Sequence, residues 1–482
     1  MTSAVQKLSR DNYLPILEYL PIQEAAFTAR TCRAARAAFC FGPMPKTTNL
    51  HLKGAQLIPF AESRLPFPKL TTLTISDASG EIPIPASFNR PTIDELRIGH
   101  RVCLYAYKFE LLIGALERVR VLRLVEDQGD GIYMPDVISH DLQRKLRQLE
   151  VLEIKSSHVS SSSAEGLIQS SDRLTRIFLQ INSTDPSLSR EIGRKRLLEE
   201  LTIFSSFRYG PTDRLALAGC RGLKIFGADI NVRSEDLIAI LNANRNTLTH
   251  LSLFMNSNEI TDEVIQTIAS LPQLQFLEIY IISTTKDLSP LRRCPHLKSL
   301  LIYNLLGTEE DPNVHVFVRN LPPVTSLAIR STHPALPFLS ALTQHMGQIE
   351  DLGIGSQLPY NDAIAAKIAQ FPRLQKVGLQ FKDGVTGNQA LAIIRGCPRL
   401  TTLISEGLKE MEVLHQIHTL IQSGQSHLQH LEIRSAQTPH TPNRELELWR
   451  NTHCPDLKLQ LHYDTHADYM ALSGGVSSPL TF

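Results

Sequence analysis

One pattern recurs from residue 70 to residue 433 and limits this chain more than any other feature. An apolar residue is followed by two others, a second apolar residue, one other, and a third apolar residue. It occurs as Leu70-Leu73-Ile75, Val119-Leu122-Leu124, Leu149-Leu152-Ile154, Leu248-Leu251-Leu253, Leu274-Leu277-Ile279 and Leu374-Val377-Leu379, among fifteen copies. Weaker copies stand at each end, at Thr47-Leu50-Leu52 and around Leu457-Leu461. The mean spacing is about 26 residues, a period that belongs to stacked structural repeats.

The last two apolar positions alternate with a period of two, which makes a short strand with one buried face. Between strands the sequence reads as helix. Ser234 precedes Glu235, Asp236, Leu237, Ile238 and Leu241, and Thr261 precedes Asp262, Glu263, Val264, Ile265 and Ile268. Each is a capping residue, then acids in the first turn, then apolar residues at helical spacing. No single strand-turn-helix unit can bury its own apolar face, so stability must come from stacking against neighbours.

Composition narrows the function classes. Among 482 residues, 49 Lys plus Arg oppose 48 Asp plus Glu, so no net field draws the chain to nucleic acid or to an anionic membrane. No apolar run approaches the roughly 18 residues of a membrane span, and MTSAVQKLSRDN has no apolar core of a signal peptide. A soluble protein of the cytoplasm and/or nucleus is expected, with protein partners. Seven scattered cysteines suit a reducing compartment and no disulfide framework.

Motifs of chemistry are missing from the sequence. There is no Gly-x4-Gly-Lys phosphate loop, and Gly353-Ile354-Gly355 falls in a repeat strand. His415 with His418, and His427 with His430, lack the acidic companion of a zinc hydrolase, and no Gly-x-Ser-x-Gly elbow occurs. No catalytic residue, metal or cofactor is therefore expected. The run Ser156 to Ser163 reads as a polar loop after a repeat strand.

What remains is a surface. Strand residues between the apolar ones should line the concave wall. In mid-array these slots hold Phe178, Phe204, Phe254, Phe276, Tyr280, Leu301 and Tyr303, where a solvated face should be polar. Earlier slots carry Glu95, Arg97, Arg123, Glu153, Lys155 and Arg176, and later ones Ser326, Ala328, Gly353, Gly355 and Gly378. The expectation is an aromatic partner-binding patch across residues 178 to 303, since large rings anchor interfaces at low entropy cost.

Two further motifs carry a resemblance. Cys294-Pro295-His296-Leu297, Cys397-Pro398-Arg399-Leu400 and Cys454-Pro455-Asp456-Leu457 open repeats, Cys220 stands three residues before Leu223, and Asn256 and Ile260-Thr261-Asp262 follow Leu251 and Leu253. These resemble the cysteine-containing leucine-rich repeats that follow F-box domains. A small apolar Cys suits the buried bend where a helix ends, and Pro stops the helix. Upstream, Leu8, Asp11, Ile16, Leu17, Leu20, Pro21, Cys32 and Arg33 fall where an F-box has its pattern. Ser9 stands where the family has Pro, Ala35 where it has Trp, and Pro15 intrudes.

The resemblance implies an α/β fold: a leucine-rich repeat solenoid, a horseshoe with parallel strands inside and helices outside, behind a small N-terminal all-α F-box-like domain. The expected boundaries are a flexible N-terminus at 1-7, the F-box-like domain at 8-42, a linker at 43-46, about 16 to 17 repeats over 47-461, and a tail at 462-482. It also implies a non-catalytic substrate receptor of an SCF-type (Skp1-cullin-F-box) ubiquitin ligase. Leu8, Asp11, Ile16, Leu17, Leu20 and Pro21 would contact the Skp1-type adaptor of the cullin complex, and the aromatic patch would hold an unknown protein substrate. Two alternatives stay open: a repeat scaffold or inhibitor whose N-terminal helices only cap the array, and a receptor completed by a buried small molecule.

Overall fold

A computed structural model describes most of residues 49–435, with breaks at loops, and residues 458–463. Residues 1–48, with the F-box-like segment, lie outside the described residues. The chain divides into two compact units, 1–223 and 224–482, where the sequence reading treats 47–461 as one array.

In the first unit the strands are β1 (Asn49–Lys53), β2 (Thr72–Ser76), β3 (Glu95–Ile98), β4 (Val121–Val125), β5 (Val151–Lys155), β6 (Arg176–Ile181) and β7 (Glu200–Ser205). Each pairs parallel with the one before it in sequence. Parallel neighbours need a crossover, supplied from β3 onward by α1 (Ala106–Gly114), α2 (His140–Leu146), α3 (Ser161–Gln169) and α4 (Pro186–Gly193). A 3-10 turn follows at Leu215–Gly219.

The second unit repeats the scheme with β8 (Ile225–Asp229), β9 (His250–Phe254), β10 (Phe276–Ser283), β11 (Ser299–Leu306), β12 (Ser326–Ser331), β13 (Asp351–Ser356), β14 (Lys376–Phe381), β15 (Thr402–Glu406), β16 (His430–Ser435) and β17 (Lys458–Tyr463). All pair parallel in sequence order. The crossovers are α5 (Ser234–Ala243), α6 (Asp262–Ala269), a 3-10 turn at Ser289–Arg293, then α7 (Asn313–Asn320), α8 (Ala335–His345), α9 (Asp362–Ile368), α10 (Gly387–Gly396) and α11 (Met411–Gln422).

The repeat triplets form the core. Leu70, Leu73 and Ile75 are fully buried, as are Leu149, Leu152 and Ile154, and Leu274, Leu277 and Ile279. In register they stack apolar on apolar: Leu96 beside Leu122, Leu122 beside Leu152. Each fully buried Leu contributes roughly 1.5–3 kcal/mol, gained only when both neighbouring repeats are in place. Register is also fixed by the main chain. The amides of Gln275 and Phe276 both donate to Thr249 O, at 2.8 and 3.1 Å, and those of Glu150 and Val151 both donate to Arg120 O, at 2.7 and 3.0 Å. The same clamp recurs from repeat to repeat, which holds each strand in step with its predecessor.

Helix starts follow the capping chemistry. Thr261 accepts a hydrogen bond from Val264 N ahead of α6. The serine run departs from the loop expected of it: Ser160 accepts from Ser163 N and caps α3, whose first turn is Ser161 to Ser163. A polar run reads as loop until one serine finds an orphan amide three residues on.

Candidate functional site

In every repeat the strand residues between the buried pair occupy the sheet face away from the core. In the first unit this face carries charge that is already paired. Glu95 accepts from Arg97 Nε at 2.7 Å and from Arg123 Nε at 3.1 Å. Arg123 also donates to Glu153, and Glu153 Oε1 lies 3.0 Å from Lys155 Nζ. Arg176 donates to Glu200 Oε1 at 2.7 Å. Burial pushes the Glu153 carboxyl up, but Lys155 and Arg123 overcome it and hold the group below the usual carboxylate range. Glu95 behaves alike: burial raises it, and the hydrogen bonds and charges of Arg97 and Arg123 outweigh that and leave it lowered.

Lys155 carries the ladder to the rings. Its Nζ stands 4.7 Å from the centre of the Phe178 ring, and Phe178 meets Phe204 at 5.5 Å between centres, tilted by 55°. Phe178 is consequently only 7% exposed, although its slot was expected to face solvent. Phe204 is half-buried.

The second unit holds the remaining rings. His250 stacks on Phe276 at 5.8 Å, and Phe254 packs against Tyr280 at 5.6 Å. Phe254 is 7% exposed, again covered by its neighbour, whereas Phe276, Tyr280 and Leu301 are half-buried. Tyr303 lies on β11 at the point where pairing with β12 shifts register. The structure thus groups Phe178 with Phe204, and Phe254 with Phe276, Tyr280 and Leu301 on three adjacent strands. Leu8, Asp11, Ile16, Leu17, Leu20 and Pro21 lie outside the described residues.

One residue of this face escaped the sequence reading, Glu278. The same alternation assigns its slot to this face, as it does that of His250, but its neighbours are defined only once three strands are aligned. Glu278 is 8% exposed on β10, between Ser252 and Leu301 in register.

Among the described residues, three cysteines and a Ser-His-Glu cluster make contacts of the following kind. Cys220, Cys294 and Cys397 are buried, and burial pushes their thiols up to about 12, about 11 and about 12, so they stay protonated near neutrality. Each donates to a main-chain carbonyl at the end of the preceding repeat's helix: Cys220 Sγ to Ile192 O at 3.6 Å, Cys294 Sγ to Ile268 O and Cys397 Sγ to Ile368 O, both at 3.5 Å. Each of those carbonyls also accepts from a main-chain amide three residues on, that of Lys195, Leu271 or Phe371, so the thiol is a second donor at the helix end. Ser156 Oγ donates to Glu126 Oε2 at 2.5 Å, and His158 Nε2 lies 3.3 Å from Glu126 Oε1. Serine and histidine here share a carboxylate, which is not the Ser-to-His relay of a hydrolase.

Strand, turn and helix at one pitch, with buried apolar residues at the same positions through most of the described repeats, decide the architecture. It is leucine-rich-repeat-like. No protein-family model matches the chain, and no curated protein matches it. Among solved structures, a leucine-rich repeat protein of Leptospira interrogans covers 87% of this chain and 96% of its own, at 14% identity and a TM-score of 0.39. That degree of likeness carries nothing about role. The repeat assignment rests on this chain's own geometry.

Proposed function

We propose that this chain is a non-catalytic receptor that holds a protein partner on its strand face, and that it does so as the substrate-recognition subunit of an SCF-type ubiquitin ligase. The observation that carries the receptor reading is the pair of ring contacts, Phe254 with Tyr280 and His250 with Phe276, on a sheet face where solvated strands are polar. The ligase reading is supported by the F-box-like pattern at Leu8, Asp11, Ile16, Leu17, Leu20 and Pro21. In that role the chain makes no covalent bond. It raises the effective concentration of a substrate lysine near the charged ubiquitin-conjugating enzyme.

Co-expression with a Skp1-type adaptor followed by size-exclusion chromatography tests the ligase reading. A stoichiometric complex is expected from the native chain, lost in an Ile16→Asp, Leu20→Asp variant whose circular dichroism is unchanged. A native chain that elutes without the adaptor would assign residues 8–42 to capping, as the departures at Ser9 and Ala35 allow, and leave a repeat scaffold.

A further inference from the structure

Five turns of the first unit, each leading from a helix end into the next strand, carry an exposed arginine: Arg118, Arg147, Arg173, Arg196 and Arg221. They follow α1, α2, α3, α4 and the 3-10 turn at Leu215–Gly219, one to a repeat. Contacts tie each of these turns to the next. Arg120 Nη2 lies 2.7 Å from Glu150 Oε2, Ser171 Oγ donates to Arg147 O at 3.1 Å, Lys195 Nζ lies 3.2 Å from Asp172 Oδ1, and a Cβ on Gly219 would stand 2.9 Å from Gly193 O. Neighbouring strands are roughly 4.8 Å apart and packed helices roughly 8–10 Å, so successive arginines are rooted at a spacing between the two along one edge.

A cation at a helix C-terminus is favoured by the helix dipole, which accounts for basic residues in these places one by one. It does not account for what their heads do. In the second unit Arg245 Nε donates to Ser270 O at 3.0 Å and Arg292 Nε to Leu321 O at 3.3 Å, each at the end of the following helix. Among the described residues, none of the five in the first unit caps a carbonyl or pairs with an acid in this way. The acids of the same edge are engaged elsewhere: Glu150 with Arg120, Asp172 with Lys195, Glu191 with Arg194 and Glu200 with Arg176. What is left over is positive, and Leu197, 56% exposed, stands among the arginines.

This pattern selects its partner. A guanidinium presents two parallel donors that match a carboxylate, and a row of them suits carboxylates on alternate residues of an extended chain, roughly 6.6 Å apart. Leu197 adds an apolar contact between the charges. A nucleic acid fits less well, since residues 147–149, 172–174 and 196–198 hold no ring for a base to stack on. The exposed Asp172 would also stand against an unbroken phosphate backbone, whereas a peptide can leave that position uncharged.

We propose that this ridge docks an extended acidic segment of a protein partner, with an apolar residue set against Leu197. The surface is built from turns, not from the strand face, and the inference does not depend on the receptor reading above.

The probe is a fluorescein-labelled peptide of about twelve residues in which Glu alternates with Ser around a central Leu, titrated with the full chain at about 50 mM salt and followed by fluorescence anisotropy. Binding is expected, weakened at least about tenfold when Gln replaces every Glu, and weakened as much by Arg147→Gln, Arg173→Gln, Arg196→Gln in the protein. Those side chains are exposed, so thermal melting of the variant should match that of the native chain. Arg373→Gln, Arg395→Gln, Arg399→Gln removes the same charge from exposed positions of the second unit and should leave affinity within about twofold. Equal loss in both triple variants, or no loss in the first, would overturn the assignment, as would a Glu peptide that binds no better than its Gln counterpart. A single-stranded oligonucleotide of equal length that binds more tightly than the peptide, and is lost in the first variant, would assign the ridge to nucleic acid instead.

Discussion

Lys155 on β5 serves two partners at once: its ammonium lies 3.0 Å from Glu153 on its own strand and 4.7 Å from the centre of the Phe178 ring on β6. One side chain joins the charged part of the first unit's face to its aromatic end. The charges there satisfy one another, so they offer an incoming partner little that is unmet. A ring under a lysine head keeps its edge, not its whole face, for contact.

Replacing Lys155 separates its two duties. Lys155→Met keeps the stem over Phe178 and removes the charge, and the expected loss is about 1 kcal/mol, combining an ion pair with a cation–π contact. Lys155→Ala also uncovers the ring and should cost more. Urea unfolding of the two variants measures the difference, and equal losses would mean that the stem contributes nothing to covering the ring.

The same ladder sets an acid dependence. Burial raises the Glu95 and Glu153 carboxyls, but Arg97, Arg123 and Lys155 leave both below the ordinary range. As pH falls, the unfolded chain takes up its protons first, so the stabilisation present above about pH 4.3 drains away as pH drops through the lower folded values. Thermal melting followed from about pH 5 to about pH 3 should fall in the native chain, and Glu153→Gln should flatten that fall. A slope unchanged by Glu153→Gln would remove this residue from the account.

Burial of the thiols predicts their silence. With values pushed up to about 11 and about 12, Cys220, Cys294 and Cys397 should resist iodoacetamide at mildly alkaline pH in the folded chain and react fully in guanidinium, as peptide mass spectrometry would show. Cys397→Ala removes one of the two donors to Ile368 O, leaving that of Phe371 N, and opens a small void, with an expected cost of about 1–2 kcal/mol. Early labelling of any of the three would contradict their buried placement.

Gly396 closes α10 where a methyl group has no room. A Cβ there would stand 2.4 Å from Ala369 Cβ and 2.9 Å from Ala369 O. Gly396→Ala should therefore destabilise by about 1–3 kcal/mol, although alanine is the better helix former. Differential scanning calorimetry measures it, and a rise in melting temperature would show that the two repeats part at no cost.

Phe254 and Tyr280 should differ although they touch. Phe254 is 7% exposed, so Phe254→Ser is chiefly a stability defect of roughly 3 kcal/mol. Tyr280 is half-buried, and Tyr280→Ser should weaken partner capture with a smaller loss of stability. Pull-down beside thermal melting of both variants checks the ordering.

The core was legible because it depends on spacing alone: Leu251 and Leu253, or Leu277 and Ile279, point the same way whatever surrounds them. Helix starts such as Thr261 were legible because capping is local. The cover over Phe178 and Phe254 was not. Alternation tells which face a slot occupies, but burial there depends on a lysine or ring one repeat away, and the sequence does not say which neighbour leans over. Glu278 was overlooked for the same reason, since its surroundings of Phe276, Tyr280, Ser252 and Leu301 exist only after three strands are aligned.

The three thiol contacts all look backward, each cysteine reaching an isoleucine carbonyl 26 to 29 positions earlier in the chain. Donor and acceptor thus belong to successive modules, and in all three the acceptor lies at the end of a helix. Each of these bonds is a seam between two modules, so a cut placed between them would leave thiol and carbonyl each short of one contact.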